Sequence, residues 1–240
     1  MTEAIKARLY VPDALGAGGS VALPDDQAHY LRHVLRLQQG EAVALFNGRD
    51  GEFRATIAEA GKKGCRLDVG GRLRPQPPPA DLWLCFAPIK QGRIEMIVEK
   101  ATELGVGRLL PVITRRTQMQ KVNAERLAAH AREAAEQCER LDVPEVGAAV
   151  TLEKLLADWP KDRRLFICAE RRAVPSLLQA AQDDGPQALL IGPEGGFTPE
   201  ELQNLAALPQ AVPVSLGPRI LRAETAAIAA LAILQSLRQN

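Results

Sequence analysis

Four prolines in the five residues Pro75-Gln76-Pro77-Pro78-Pro79 bar both a helix interior and a central strand, so this stretch reads as an extended polyproline connector. It separates two parts of the 240-residue chain that differ in hydrophobic period. Upstream, the apolar segments 7–11, 41–46, 52–57 and 64–69 are short and alternating, with Asn47-Gly48 and Asp50-Gly51 as turn signals. This pattern predicts a small β-barrel over residues 1–74, interrupted by one helix over 25–37 whose apolar side is Tyr30, Leu31, Val34, Leu35 and Leu37. Downstream, over 75–240, strand and helix patterns alternate, which predicts an α/β domain with a parallel sheet and crossover helices. The expected strands are 82–87, 108–113, 164–169, 188–191 and 212–216. One helical stripe runs through Ile94, Ile97, Val98, Ala101 and Leu104, another through Leu127, Ala128, Ala131, Ala135 and Cys138.

Two strand-to-helix corners in the second part carry the functional signal. The first is Ile191-Gly192-Pro193-Glu194-Gly195-Gly196-Phe197-Thr198-Pro199-Glu200-Glu201. Thr198 reads as an N-cap, with Pro199 at N1 and Glu201 at N3, which makes a capping box. Glycines at such a corner let backbone N–H groups approach a ligand with no Cβ in the way. A plain tight turn would explain one such break, but the segment 214–226 repeats the design with Gly217-Pro218. The closing helix that follows places Ile228, Leu231, Ala232 and Leu234 at helical spacing among alanines. Arg222 and Glu224 stand at its first turn, where the carboxylate suits the helix dipole and the cation opposes it. Arg222 therefore calls for a partner or a task outside the helix. No G-x-G-x-x-G follows a first strand, and the glycine loop lacks the Lys-Ser/Thr of a P-loop, which disfavours a dinucleotide or triphosphate. S-adenosylmethionine suits these loops better, because it needs backbone donors and acceptors plus an apolar floor such as Leu216, Ile220 and Leu221.

The net charge is +1, and residues 1–74 carry 11 Lys and Arg against 9 Asp and Glu, while 75–240 carry 19 against 20. Neither part has a bulk electrostatic affinity for nucleic acid, so any RNA contact must come from local clusters. His29, Arg32 and Arg36 lie one helical turn apart in succession, and Lys62-Lys63 falls in a turn within reach of phosphate. Arg8, Arg115 and Arg116 complete the candidate RNA contacts, with solvated surface charge as the plain alternative for any one of them. Glu95, Glu99 and Glu103 at i, i+4 and i+8 repel unless solvated or paired, and Arg115 and Arg116 are candidate partners. Five Phe, two Trp and two Tyr are too few for an extended base-stacking surface. Cys65, Cys85, Cys138 and Cys168 show no C-x-x-C spacing and read as free buried thiols. His29 and His33 lack a third ligand, so no metal is expected. The first residues lack an apolar signal core, and no run approaches the about 20 residues that span a bilayer, so a cytoplasmic protein is expected.

Together IGPEGGFTPEE and SLGPRILRAETAAIAAL resemble the two signature segments of the bacterial family that methylates N3 of a uridine in 16S ribosomal RNA, within the SPOUT superfamily of methyltransferases. IKQGRIEMIVEKATELGV and AAEQCER with Pro144 resemble two further segments, in the family's order, and the likeness spans about 8 to 237. His29, Arg32 and Arg36 match the family's His-x-x-Arg-x-x-x-Arg run. The resemblance implies a C-terminal trefoil-knot SPOUT domain over 75–240 behind an N-terminal PUA-like RNA-binding barrel over 1–74. It implies S-adenosylmethionine at Ile191, Gly192, Pro193, Glu194, Gly195, Gly196, Leu216, Gly217, Ile220, Leu221 and Arg222. It also implies 16S RNA or the small ribosomal subunit as partner, and a homodimer. Uracil N3 must lose a proton before it attacks, which spreads negative charge onto O2 and O4. Arg222 is a candidate to stabilise that charge and Glu224 to take the proton. Alternatively Arg222 anchors an RNA phosphate, or Glu224 forms a salt bridge across a subunit interface. A ribose 2′-O-methyltransferase of SPOUT type and a non-catalytic RNA-binding assembly factor stay open as other readings.

Overall fold

A computed structural model describes residues 4–61, 64–79, 81–90, 92–168, 174–181 and 185–237. Its contacts divide the chain into two units: Met1–Pro79 with Ala135–Val143, and Ala80–Ala134 with Pro144–Asn240.

The first unit is a five-stranded sheet of β1 (Arg8–Tyr10), β2 (Ser20–Leu23), β3 (Ala42–Phe46), β4 (Glu52–Gly61) and β5 (Gly64–Arg74), in the order β1-β3-β4-β5-β2. β1 and β3 run parallel and the other neighbours antiparallel. β2 was not among the expected strands, because four residues behind a glycine-rich stretch carry only two inward side chains, Val21 and Leu23. β4 and β5 each run several residues beyond the expected ends and form one long hairpin. Among the described residues no backbone ladder joins the end strands β1 and β2. Helix α1 (Asp25–His29) fastens itself to β1, its Gln27 Nε2 donating to the Tyr10 carbonyl at 2.8 Å. Its Ala28, with Leu31 beyond it, enters the core with Leu9, Val21, Val43, Leu45, Ile57 and Leu67. The helix widens over Tyr30–Val34, where the Leu35 N–H reaches the Tyr30 carbonyl at 3.0 Å. It closes when the Leu37 N–H bonds the Leu31 carbonyl at 2.8 Å, with Arg36 left-handed at φ 57°. It thus ends three residues earlier than periodicity predicts.

In the second unit β6 (Leu82–Phe86), β7 (Arg108–Ile113), β8 (Glu145–Val146), β9 (Val150–Thr151), β10 (Arg164–Cys168), β11 (Gln187–Ile191) and β12 (Ala211–Val214) pair only in parallel. The order is β12-β10-β11-β6-β7-β8, with β9 also against β7. The five expected strands fall on β6, β7, β10, β11 and β12, whereas the two-residue β8 and β9 are too short to leave a pattern. The helices are α2 (Arg93–Glu103), α3 (Ala124–Gln137), α4 (Leu152–Ala157), α5 (Leu177–Ala180), α6 (Pro199–Ala207) and α7 (Ala223–Leu237). Leu152 and Leu155 of α4 and Leu205 of α6 pack with Cys85, Leu110, Leu165, Ile167 and Leu190 on one face of the sheet. The alternate residues Leu84, Leu109, Phe166 and Leu189 are equally buried, as a two-faced sheet requires. α7 buries Ala223, Ala226, Ala227, Ala230, Leu231 and Leu234. Its inward stripe is therefore rotated from the expected one, with Ile228 half-buried and Ala232 exposed, because alanines and not the larger residues allow the close approach.

A single cut at residue 74 does not describe the units, because Ala135–Val143 returns to the first. Glu136 Oε1 accepts the Tyr10 N–H at 2.9 Å, and Ala135 and Leu141 pack on Phe46. Arg8, expected at RNA, spans two carboxylates instead: Glu52 at 3.1 Å through Nε and Glu139 at 3.0 Å through Nη1. Glu52, only 2% exposed, also takes Arg74 Nε at 2.7 Å and Nη2 at 2.9 Å. All four cysteines are free, but Cys138 and Cys168 are only partly buried. Among the described residues no helix is long and apolar enough to cross a membrane.

Burial raises the Glu52 carboxyl, but Arg74 and then Arg8 outweigh it and hold the group below its usual value of 4.5. Its contribution to stability is therefore complete above that value and is lost as the pH falls through the depressed one. Glu52→Gln is expected to lower the unfolding free energy from denaturant titration by about 2 kcal/mol at neutral pH and to flatten the acid limb of stability against pH; an unchanged acid limb in the variant would contradict this.

Candidate functional site

The carboxyl ends of β10, β11 and β12 open into a cavity of about 740 Å³, where ligands of open parallel sheets characteristically bind. Of the eleven residues expected to hold a cofactor, Ile191, Gly192, Pro193, Glu194, Gly196, Leu216, Gly217, Ile220, Leu221 and Arg222 line it. Ile167 and Cys168 at the end of β10 line it as well, together with Phe197, Leu202, Ser215, Arg219, Ala223 and Ala226. The β10 pair escapes sequence reading because only the order β12-β10-β11 sets that strand between the two loops. Although partly exposed, the Cys168 thiol is desolvated by its surroundings, which push it up to about 12 and make it a neutral part of the wall.

Both loops are held from outside. In the first, Thr198 Oγ1 accepts the Glu201 N–H at 3.2 Å and Glu201 Oε2 accepts the Thr198 N–H at 2.7 Å, the capping box read from sequence. Glu201 is 3% exposed, and its other oxygen accepts the Arg115 N–H at 2.8 Å. In the second, the Ser215 N–H bonds the Pro175 carbonyl at 2.9 Å, and the Leu177 N–H bonds the Ser215 carbonyl at 3.1 Å. Gly217, at φ 113°, turns the chain into the cavity wall in a conformation that a side chain would strain.

Gly195 is the expected cofactor residue that does not line the cavity. It faces outward: a Cβ there would sit 3.3 Å from Arg116 Cδ, and Arg116 Nη1 donates to the Gly195 carbonyl at 2.6 Å. Arg222 lies exposed on the cavity wall with no ion pair among the described residues. Glu224 is not in that wall. It is largely buried against α2, with Oε1 3.7 Å from Arg93 Nε and Oε2 unbonded, so the expected catalytic pair is not brought together.

Of the expected RNA contacts, His29 and Arg36 are exposed, and the His29 ring rests on His33 at 4.6 Å. Arg32 is partly committed to the fold, its Nε donating to the Ala28 carbonyl at 3.2 Å and its Nη1 to Gly61. Lys62 lies outside the described residues. Arg115 is 62% exposed and 3.6 Å from Glu153. Neither Arg115 nor Arg116 pairs with the glutamates of α2. Glu95 meets Arg126 at 2.7 Å, and Glu99 and Glu103 flank Lys100 at 2.7 and 2.8 Å. Among the described residues no three His, Cys, Asp or Glu gather as a metal site.

A family model described as an RNA methyltransferase domain matches residues 76–235, and one described as an RNA methyltransferase PUA domain matches 23–70. The chain is 37% identical over 230 residues to a ribosomal RNA small subunit methyltransferase E of Rickettsia conorii, covering 94% of this chain and 93% of that protein. A solved ribosomal RNA small subunit methyltransferase E of Neisseria gonorrhoeae bound to S-adenosyl methionine superposes with a TM-score of 0.87 at 30% identity, covering 96% and 97% of the two chains. A putative methyltransferase of Legionella pneumophila with its cofactor SAM gives 0.87 at 32% identity, covering 97% and 98%.

Glu201→Ala removes the cap and the Arg115 tie together. It should cost about 1–3 kcal/mol in chemical denaturation and speed amide exchange at Thr198 and Arg115. Unaltered exchange at both amides would show that the carboxylate does not hold the loop.

Proposed function

Because the chain belongs to the RNA methyltransferase family that includes ribosomal RNA small subunit methyltransferase E, we propose that it transfers a methyl group from S-adenosylmethionine to N3 of a uridine in 16S ribosomal RNA. The observation that carries this reading is the cavity between two glycine-proline loops with an unpaired arginine in its wall. Its walls fit the cofactor: the backbone of Gly192, Glu194, Gly196 and 215–218 offers donors and acceptors, while Ile167, Leu202, Leu216 and Leu221 are apolar and no lysine among the described residues enters. S-adenosylmethionine supplies an electrophilic methyl on its sulfonium. Arg222 stabilises the negative charge that reaches uracil O2 and O4 when N3 gives its proton to solvent water, each pKa unit being worth about 1.4 kcal/mol, and N3 then takes the methyl as S-adenosylhomocysteine departs. Glu224 has no part in that proton transfer, since its carboxylate faces Arg93.

N3 lies on the pairing edge, so the base must be unpaired when it enters. Among the described residues His29 and Arg36, within the matched PUA segment, are exposed groups that suit the surrounding RNA. Arg36 supports this by its strain: a left-handed arginine costs about 1–2 kcal/mol that glycine would avoid. The active form is a homodimer. Ile220, 56% exposed beside the cavity, and the half-exposed Ile228 and Ile233 of α7 offer apolar surface for a second copy. Its place of work is the cytoplasm, where the small subunit is made.

With labelled cofactor and small subunits that lack the modification, digestion to nucleosides should find the label on the uracil base. Label on ribose, or none, would replace this reading. Arg222→Ala should lower kcat about 100-fold with little change in cofactor affinity; a loss confined to RNA affinity would make it an anchor. Arg36→Gly should raise stability by about 1 kcal/mol and weaken RNA binding, whereas unchanged RNA affinity would remove Arg36 from the interface.

A further inference from the structure

The wall of the cavity depends on how the peptide between Gly195 and Gly196 is turned. That peptide is held at both ends. Its N–H bonds the Pro193 carbonyl at 2.8 Å, within the loop, and its carbonyl takes Arg116 Nη1 at 2.6 Å from outside. The aliphatic stem of Arg116 lies on Gly195, with Cδ and Cβ 3.3 and 3.4 Å from the place a Cβ would occupy. Arg116 is itself anchored. Its turn is closed by Thr114 and Thr117, both nearly buried, whose hydroxyls stand 2.9 Å apart, and the Thr114 N–H reaches Thr117 Oγ1 at 2.9 Å. The next backbone N–H, of Arg115, is tied to the buried Glu201. A rigid turn, a charged donor and a carbonyl without a Cβ beside it form one clamp on the loop.

We infer that Arg116 is a positioning residue, which fixes the cofactor loop 192–197 from its outer side, and is not a contact to RNA phosphate. The inference rests on the reading that S-adenosylmethionine occupies the cavity. Without the clamp, only the bond to the Pro193 carbonyl holds the peptide, and Glu194 and Gly196 are less firmly placed in the wall. The cofactor then has to order the loop as it binds, which weakens binding without touching the groups that act on uracil.

The test uses the full-length protein and three variants, Arg116→Ala, Arg116→Lys and Gly195→Ala. Calorimetry reads S-adenosylmethionine affinity, filter binding at fixed salt reads affinity for a 16S RNA fragment, and steady-state assays separate KM from kcat. Arg116→Ala should weaken the cofactor about tenfold and raise its KM by the same factor, with a smaller effect on kcat and RNA affinity held within about twofold. Arg116→Lys, which keeps a stem and one donor, should recover part of the loss. Gly195→Ala displaces the same stem from the other side and should repeat the defect, and in combination with Arg116→Ala it should add little. Unchanged cofactor affinity overturns the inference, as does a fall in RNA affinity with a salt slope reduced by about one, which marks a phosphate contact. A loss that tracks the melting temperature of the free protein and that lysine does not recover overturns it too. Failure of the wild-type protein to take up the cofactor is a distinct result, which removes both the reading and the inference.

Discussion

The Glu201 carboxylate is where the second unit is pinned. One oxygen closes the capping box of α6, and the other holds the turn after β7. A carboxylate this buried is tolerable only when its oxygens are bonded, and at the start of a helix it also meets the positive end of the dipole. Because the helix, the glycine loop and the turn share this one group, they keep a common geometry. The cavity wall inherits its shape from that agreement.

Sheet order supplies the rest. The loops after β11 and β12 leave strands that never touch each other, for β10 lies between them. Their convergence on one cavity follows from parallel pairing on both sides of β10, whose own end contributes Ile167 and Cys168. Three segments far apart in sequence thus meet at one edge, where strand ends leave backbone groups unpaired and side chains with room to turn toward a ligand. Arg222 stands there uncompensated, while Glu224, two residues on, has turned inward to α2. The start of α7 separates them: Arg222 still belongs to the loop before the helix, whereas Glu224 is already in its first turn, which lies against α2.

What could be read from sequence was whatever a local rule governs. The capping box at Thr198 and Glu201, the strands from β6 to β12 that exceed three residues, and the glycine-proline corners all follow from spacing and turn chemistry. What could not be read depends on partners distant in the chain. Arg8 looked like a free cation until Glu52 and Glu139 were brought to it. Gly195 looked like its neighbours in the loop, and only the placement of Arg116 shows that its open side faces away from the cavity. The α7 stripe is legible only in part: Leu231 and Leu234 face inward as their spacing predicts, but Ile228 and Ala232 do not, because close packing turns Ala223, Ala226, Ala227 and Ala230 inward. β2 was missed because four residues carry too little alternation to be heard above a glycine run.

The return of Ala135–Val143 to the first unit has a consequence for synthesis on the ribosome. When Pro79 has left the exit tunnel the sheet is complete in strands, yet Arg8 lacks the Glu139 carboxylate, Tyr10 lacks the Glu136 acceptor, and Phe46 lies bare of Ala135 and Leu141. The amino-terminal part of this protein therefore reaches its finished state only after residue 143 has emerged. Until then it is an incomplete body whose Phe46 ring is covered on the side of Tyr10 alone, and its maturation is timed by translation of the half that follows it.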